Sequence, residues 1–278
     1  MHQYGGRRRL RGVDARQANS GGEINRRSVF AGAAALAVAS VAGRRAERDG
    51  AVTIDRGSLT SRHWPGREAG WVLVRPPEYS TLVIALHSLG SNARLFSDTL
   101  DASGVARRTG LAIAAIDGGT AYWHPHSDGV DTAAMVLDDF IPMLAAMGLP
   151  TARIGLTGVS MGGFGALRLA TVLPAERVVG VGVVAPAVRR TYNENHTLAF
   201  DSRSSFDANN PFHRIDRLRQ VPICIACGRD DRFYAASVAL AAELPDAVTI
   251  FDDGGHSTAY ARRHWEPVMR WLAMTAGA

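Results

Sequence analysis

Apolar runs of strand length alternate with helical patterns along most of the chain. The runs fall at 71–75, 82–86, 111–117, 153–158, 178–184, 222–227 and 247–251, and the helical patterns at 92–108, 131–147, 161–173, 235–244 and 262–274. Continuous Val, Ile and Leu runs separated by helices predict an α/β fold, with a mostly parallel central sheet covered on both faces. One domain over 46–278 accommodates this, because single α/β domains reach that size. The stretch before residue 69 is polar and predicts no strand. From 188 to 220 the rhythm breaks: the segment carries Asn193, Asn195, Asp201, Asp207, Asn209 and Asn210 together with Tyr192, Phe200, Phe206 and Phe212. A long loop inside a domain is usually functional, and this one is expected to form a small cap over the site.

The 278 residues are 46% hydrophobic and 21% charged, which excludes a disordered chain, a collagen-like repeat and a disulfide-stapled miniprotein. The net charge of +5 invites a polyanionic partner until its distribution is read. Residues 1–45 hold nine arginines against two acids, and the remainder holds 22 arginines against 24 acids. The basicity therefore belongs to the leader, and no nucleic-acid partner is expected.

Within that leader, Asn25-Arg26-Arg27-Ser28-Val29-Phe30 precedes a weakly apolar stretch, Ala31 to Gly43. Charge followed by an apolar segment is the layout of an export signal, and the adjacent arginines resemble the twin-arginine type. Small residues suit cleavage after Ala39 or Ala42. The 16 residues from Ser28 to Gly43 fall short of the roughly 20 that span a bilayer, so no stable span is expected in the mature protein. No cysteine lies in the leader for lipid attachment.

The two cysteines, Cys224 and Cys227, sit in a continuous apolar run. A C-x-x-C pair suggests redox or metal chemistry. On a strand, however, side chains three apart point to opposite faces, so the pair is read as two small buried residues. A His124-x-His126 metal pair lacks an identifiable third ligand, and no metal or cofactor is expected.

The chemistry concentrates at Gly158-Val159-Ser160-Met161-Gly162, where a strand runs directly into a helix. This G-x-S-x-G pattern needs residues without bulk at Gly158 and Gly162 so that strand and helix can approach around a strained serine. The helix start also favours the negative charge of an oxyanion. A serine needs a base and an orienting acid, which follow in the chain order Ser, acid, His. Carboxylates Asp230 and Asp231 follow the run ending at Cys227, and His256 follows the last run. Asp231 is preferred as the acid, with Asp230 left as the alternative; Asp252 and Asp253 lie too close to His256 in sequence. The other histidines are placed elsewhere, with His264 expected to be exposed on the final helix. The amides of Met161 and Leu89 are the expected oxyanion donors. His87, Ser88, Tyr122, Trp123 and His124 lie on neighbouring loops and are expected to form a pocket wall.

Together, the runs GVSMGGFGAL from Gly158, ACGRDDRFY from Ala226, GGH from Gly254 and DGG…YWH from Asp117 resemble the secreted esterase branch of the α/β-hydrolase superfamily. That branch includes esterase D-like enzymes, feruloyl esterases and mycolyltransferases. The similarity of pattern extends over about 71–274. It implies an α/β-hydrolase fold, Ser160 as nucleophile, His256 as base and Asp231 as acid. Ser88 departs from the pattern, since many relatives carry Gly there. The implied activity is a secreted serine carboxylesterase acting on a small-molecule, lipid or carbohydrate ester. The alternatives are an acyltransferase to a sugar or glycerol hydroxyl and, more remotely, a non-catalytic surface-binding protein. Oligomeric state is left open.

Overall fold

Eight segments with extended, largely apolar sequence pair into one sheet in the order β1-β2-β4-β3-β5-β6-β7-β8. The strands are β1 (Thr53–Thr60), β2 (Glu68–Arg75), β3 (Thr81–Leu86), β4 (Leu111–Ile116), β5 (Ile154–Val159), β6 (Val178–Val184), β7 (Ile223–Gly228) and β8 (Val248–Asp252). The computed structural model describes residues 52–192 and 199–277; the expected export leader at 1–45 lies outside them. From β4 to β8 every neighbouring pair is parallel, whereas β1 with β2 and β2 with β4 are antiparallel. Strand β1 was not expected. It is an edge strand whose residues are mostly half-buried or exposed, so it carries no apolar run to betray it.

The helices are α1 (Ala102–Thr109), α2 (Thr132–Ala134), α3 (Ile141–Ala146), α4 (Met161–Val172), α5 (Arg203–Asn209), α6 (Ile215–Leu218), α7 (Tyr234–Ala242) and α8 (Thr258–Ala276), with a π-helical turn joining α2 to α3. Alternate residues of β3 separate the two faces of the sheet. Leu82, Ile84 and Leu86 pack with Phe140, Phe164, Leu167 and Leu240, under α3, α4 and α7. Val83 and Ala85 pack with Val105, Trp265, Val268 and Leu272, under α1 and α8. The segment 188–220, expected as a loop, instead folds locally into α5, a 3₁₀ turn and α6, with Phe200 and Phe206 buried. The calls on Asn193 and Asn195 lie outside the described residues. Among the described residues, no helix is long and apolar enough to cross a membrane.

Parallel strands bring the loops after β3 to β8 to one edge of the sheet. The β1–β2 turn joins them there, because Gly70 at the start of β2 accepts a bond from the Asp117 amide just past β4, at 2.8 Å.

Candidate active site

Strand β5 ends at Val159 and α4 begins at Met161, so a single residue makes the turn. Ser160 makes it with φ 55° and ψ −115°, a conformation that costs on the order of 1–3 kcal/mol for a residue with a side chain. Two close approaches hold it there. A Cβ on Gly158 would stand 2.2 Å from the Gly162 carbonyl, and one on Gly162 would stand 1.8 Å from the carbonyl oxygen of Leu86. Both positions therefore exclude any side chain. The second approach also sets the start of α4 against the end of β3, which leads into Leu89.

The Ser160 hydroxyl lies 2.8 Å from His256 Nε2, and His256 Nδ1 lies 2.7 Å from Asp231 Oδ2. Asp231 Oδ1 accepts the Phe233 amide at 2.8 Å, so both carboxylate oxygens are engaged. The Asp231 side chain is fully buried, whereas the His256 side chain is 23% exposed. A buried, hydrogen-bonded carboxylate can hold one imidazole tautomer and stabilise its charged form, while Nε2 takes a proton from the serine. Asp230 stays exposed and reaches the Gly254 carbonyl only through its amide. Asp252 is taken up by Tyr260 at 2.8 Å and His264 at 3.1 Å, and Asp253 by Arg229 at 3.0 Å. His264, expected to be exposed, is buried. Its place against Tyr260 and Asp252 arises from the return of α8 over the sheet, which the local helical pattern does not reveal.

Leu89 lies in a turn closed by the Ser91 amide on the Ser88 carbonyl at 3.1 Å. Positive φ falls on Gly90, at 75°, and not on Ser88, so the departure at Ser88 costs no backbone strain. His87 is buried and fixes this loop: its Nδ1–H donates to the Ser88 carbonyl at 2.8 Å, and its Nε2 accepts the Gly118 amide at 2.9 Å. Burial pulls the His87 pKa down, favouring the neutral ring this pairing requires.

Tyr122, Trp123 and His124 are buried. Tyr122 and Trp123 both adopt positive φ, 48° and 58°, which turns them inward under the site. His124 stacks on Phe200 at 5.1 Å and on His126 at 4.3 Å. Both its ring nitrogens face carbonyl oxygens, Pro125 at 2.8 Å and Ala199 at 2.5 Å. Burial opposes both contacts and pulls the ring's pKa down to about 4. His126 bonds Asp201 at 2.7 Å, and the Ser127 amide donates to the same carboxylate at 2.6 Å. These histidines thus clip the segment around Ala199–Asp201 to the loop after β4. Arg168 of α4 adds a bond to Asn209 at 2.8 Å. Outside this packing, a cleft of about 450 Å³ opens between the β1–β2 turn and the β4 loop, lined by Trp64, Arg67, Thr120, His126 and Asp128.

Sequence reasoning missed the residues around Phe233. Its ring packs edge-on to His256 at 5.2 Å between centroids. The guanidinium carbons of Arg189 and Arg232 each lie 5.0 Å from the centre of that ring, and Arg189 also bonds Tyr122. Arg189 stands 67 residues from His256, so no local motif could have joined them. The two cysteines are free and buried on β7. Burial pushes their thiols up, Cys224 to about 12 and Cys227 to about 11, which leaves both protonated and unreactive near neutral pH.

No protein-family model and no curated protein matches this sequence. Solved structures do match its shape. A fluorophosphonate-binding serine hydrolase of Staphylococcus aureus superposes with a TM-score of 0.71 at 15% identity, over 81% of this chain and 99% of that one. An S-formylglutathione hydrolase from Agrobacterium tumefaciens gives 0.71 at 17% identity, over 83% and 98%. A ferulic acid esterase gives 0.69 at 14%, over 82% and 99%. The chain, which resembles these enzymes over most of its described length, has the α/β-hydrolase fold.

Proposed function

We propose that the protein is an exported serine carboxylesterase that works through an acyl-enzyme on Ser160. The observation that carries this reading is the unbroken hydrogen-bonded chain from Ser160 through His256 to a fully buried Asp231, mounted on a strained turn. A binding protein gains nothing from that strain. His256 takes the serine proton as Ser160 attacks the ester carbonyl, and Asp231 stabilises the imidazolium. The Met161 and Leu89 amides receive the oxyanion, a contribution of roughly 3 kcal/mol per donor in comparable sites. His256 then protonates the departing alcohol, and water releases the acid. The partial exposure of His256 gives water a path to the acyl-enzyme and supports hydrolysis over transfer to another alcohol. The likeness to structures named as esterases and hydrolases supports the same chemistry. The leader supports export, by the twin-arginine route.

The test is turnover of a series of p-nitrophenyl esters by wild type and Ser160→Ala, with and without added alcohol acceptors. Wild type is expected to release acid from at least one ester while Ser160→Ala falls by at least about 10⁴-fold. Equal activity in the two proteins would remove Ser160 from the mechanism. Transfer of the acyl group to an acceptor in place of its release as acid would make the protein an acyltransferase. Export is tested by fractionating cells that carry Arg26→Lys with Arg27→Lys, which is expected to retain the protein inside.

A further inference from the structure

His256 sits in the link between β8 and α8, directly after Gly254 and Gly255. Gly254 has φ 143°, so the backbone leading into the proposed base is of the most permissive kind. Two hydrogen bonds hold the imidazole, one to Ser160 and one to Asp231. They lie at opposite ends of the ring, and a ring held at its two ends can still swing about the line between them. Stopping that swing takes a third contact to one side of the line. Phe233 makes such a contact, with ring centroids 5.2 Å apart and planes inclined at 70°.

The same residue also holds the acid. Its amide donates to Asp231 Oδ1 at 2.8 Å, and its carbonyl accepts the Ser237 amide at 2.8 Å in the first turn of α7. Both of its roles therefore start from a rigid helix start. The Phe233 ring is buried, with the guanidinium carbons of Arg189 and Arg232 each 5.0 Å from its centre. Arg189 bonds Tyr122, which is itself buried on the loop after β4. A guanidinium that bonds a phenol while lying over a ring braces that ring through contacts that depend on direction.

Resting on the serine-esterase reading above, we infer that Phe233 is a positioning residue for the proposed triad, its amide setting Asp231 and its ring setting His256, with Arg189 bracing the ring against Tyr122. It acts through the acid and the base. Loss of the ring frees the imidazole to swing Nε2 off the line to the serine hydroxyl, and a misplacement of about 1 Å in a reacting group costs about 10²-fold in rate.

Phe233→Leu removes the ring and keeps the amide. Its kcat on a p-nitrophenyl ester is expected to fall about 10²-fold with KM within about threefold of wild type, whereas a residue that only lined the pocket would move KM. Phe233→Tyr, which keeps the ring, should recover at least about tenfold of that loss. Labelling of Ser160 by a fluorophosphonate reads the same base without an ester: the serine oxygen bonds to phosphorus, fluoride leaves and the serine proton passes to His256. The labelling rate should follow kcat across the variants. Low-field proton NMR of the Nδ1–H that His256 shares with Asp231 reads the order of the ring with no turnover at all. That resonance is expected to be sharp in wild type, to broaden or vanish in Phe233→Leu and to return in Phe233→Tyr. Urea denaturation shows which variants are folded. If Phe233→Leu is not, Arg189→Met decides in its place, and is expected to slow labelling about tenfold and broaden the same resonance. A folded Phe233→Leu that keeps the wild-type labelling rate or the wild-type resonance overturns the inference, as does a loss confined to KM or one that Phe233→Tyr shares in full. Where Arg189→Met decides, an unchanged rate or resonance overturns it. Failure of wild type to turn over any ester would count against the esterase reading alone, because the resonance decides the inference separately.

Discussion

Asp231 and Asp230 differ by one position and by nearly everything else. The turn that follows β7 sends Asp231 inward, where the Phe233 amide and the His256 ring each take one oxygen, and leaves Asp230 in solvent. Asp231→Asn keeps the volume but reverses the hydrogen bonding, so the imidazole is held with its proton on the wrong nitrogen. Its kcat is expected to drop by about 10⁴ with the fold intact, as seen by an unchanged circular dichroism spectrum. The analogous change at Asp230 is expected to leave kcat within about threefold of wild type. At this scale the sequence was legible wherever chemistry is written locally. Ser160, Gly158 and Gly162 stand in one five-residue motif, and His256 follows the last apolar run. Phe233, Arg189 and the buried His264 were illegible because their partners come from distant loops and from a helix crossing back over the sheet.

Helix α8 shows how elements were read correctly in kind and only partly in extent. It was expected over 262–274 and spans Thr258–Ala276, starting directly after the residue that follows His256. Ser257 caps it by accepting the Tyr260 amide, so His256, the proposed base, is tethered to a rigid helix start. The helix lies close on the sheet because β5 and β6 present glycines to it. A Cβ on Gly182 would stand 2.5 Å from Val268 Cγ1, and one on Gly155 would stand 2.9 Å from Leu272 Cδ2. Gly182→Ala is therefore expected to destabilise by about 1–3 kcal/mol through overpacking. Val268→Ala, itself destabilising as a cavity, should restore part of that loss when combined with it. Urea denaturation of the four proteins in a cycle reads the coupling, and strict additivity would contradict the described contact. β1 went unread for the opposite reason. An edge strand with one buried residue has no reason to be apolar, and its place depends on pairing with β2.

At the scale of the molecule, three buried histidines among the described residues share one electrostatic sign. Burial pulls His87, His124 and His264 below the ordinary imidazole value. The unfolded chain therefore binds more protons than the folded one once pH drops below about 6.5. Their contribution to stability is fully present above that pH and is lost as pH falls. For His124 the loss continues down to about 4, which corresponds to roughly 3 kcal/mol at about 1.4 kcal/mol per unit. Chemical denaturation at stepped pH from 8 to about 4 is expected to show that decline. The slope should be shallower in His124→Asn. A flat profile would mean that the ring takes up its proton over the same pH range folded as unfolded.

The order of strands also sets a sequence in time. Ser160 and His256 stand 96 residues apart, and the β8 turn that carries the base is built after every other strand. At about 5–20 residues per second of synthesis, the serine leaves the ribosome roughly 5 to 20 seconds before the histidine that would activate it. Until then the serine has no proton acceptor. On the esterase reading proposed above, a chain with this arrangement would cleave no ester while it is still being made, and its chemistry would begin only when the last strand closes the sheet.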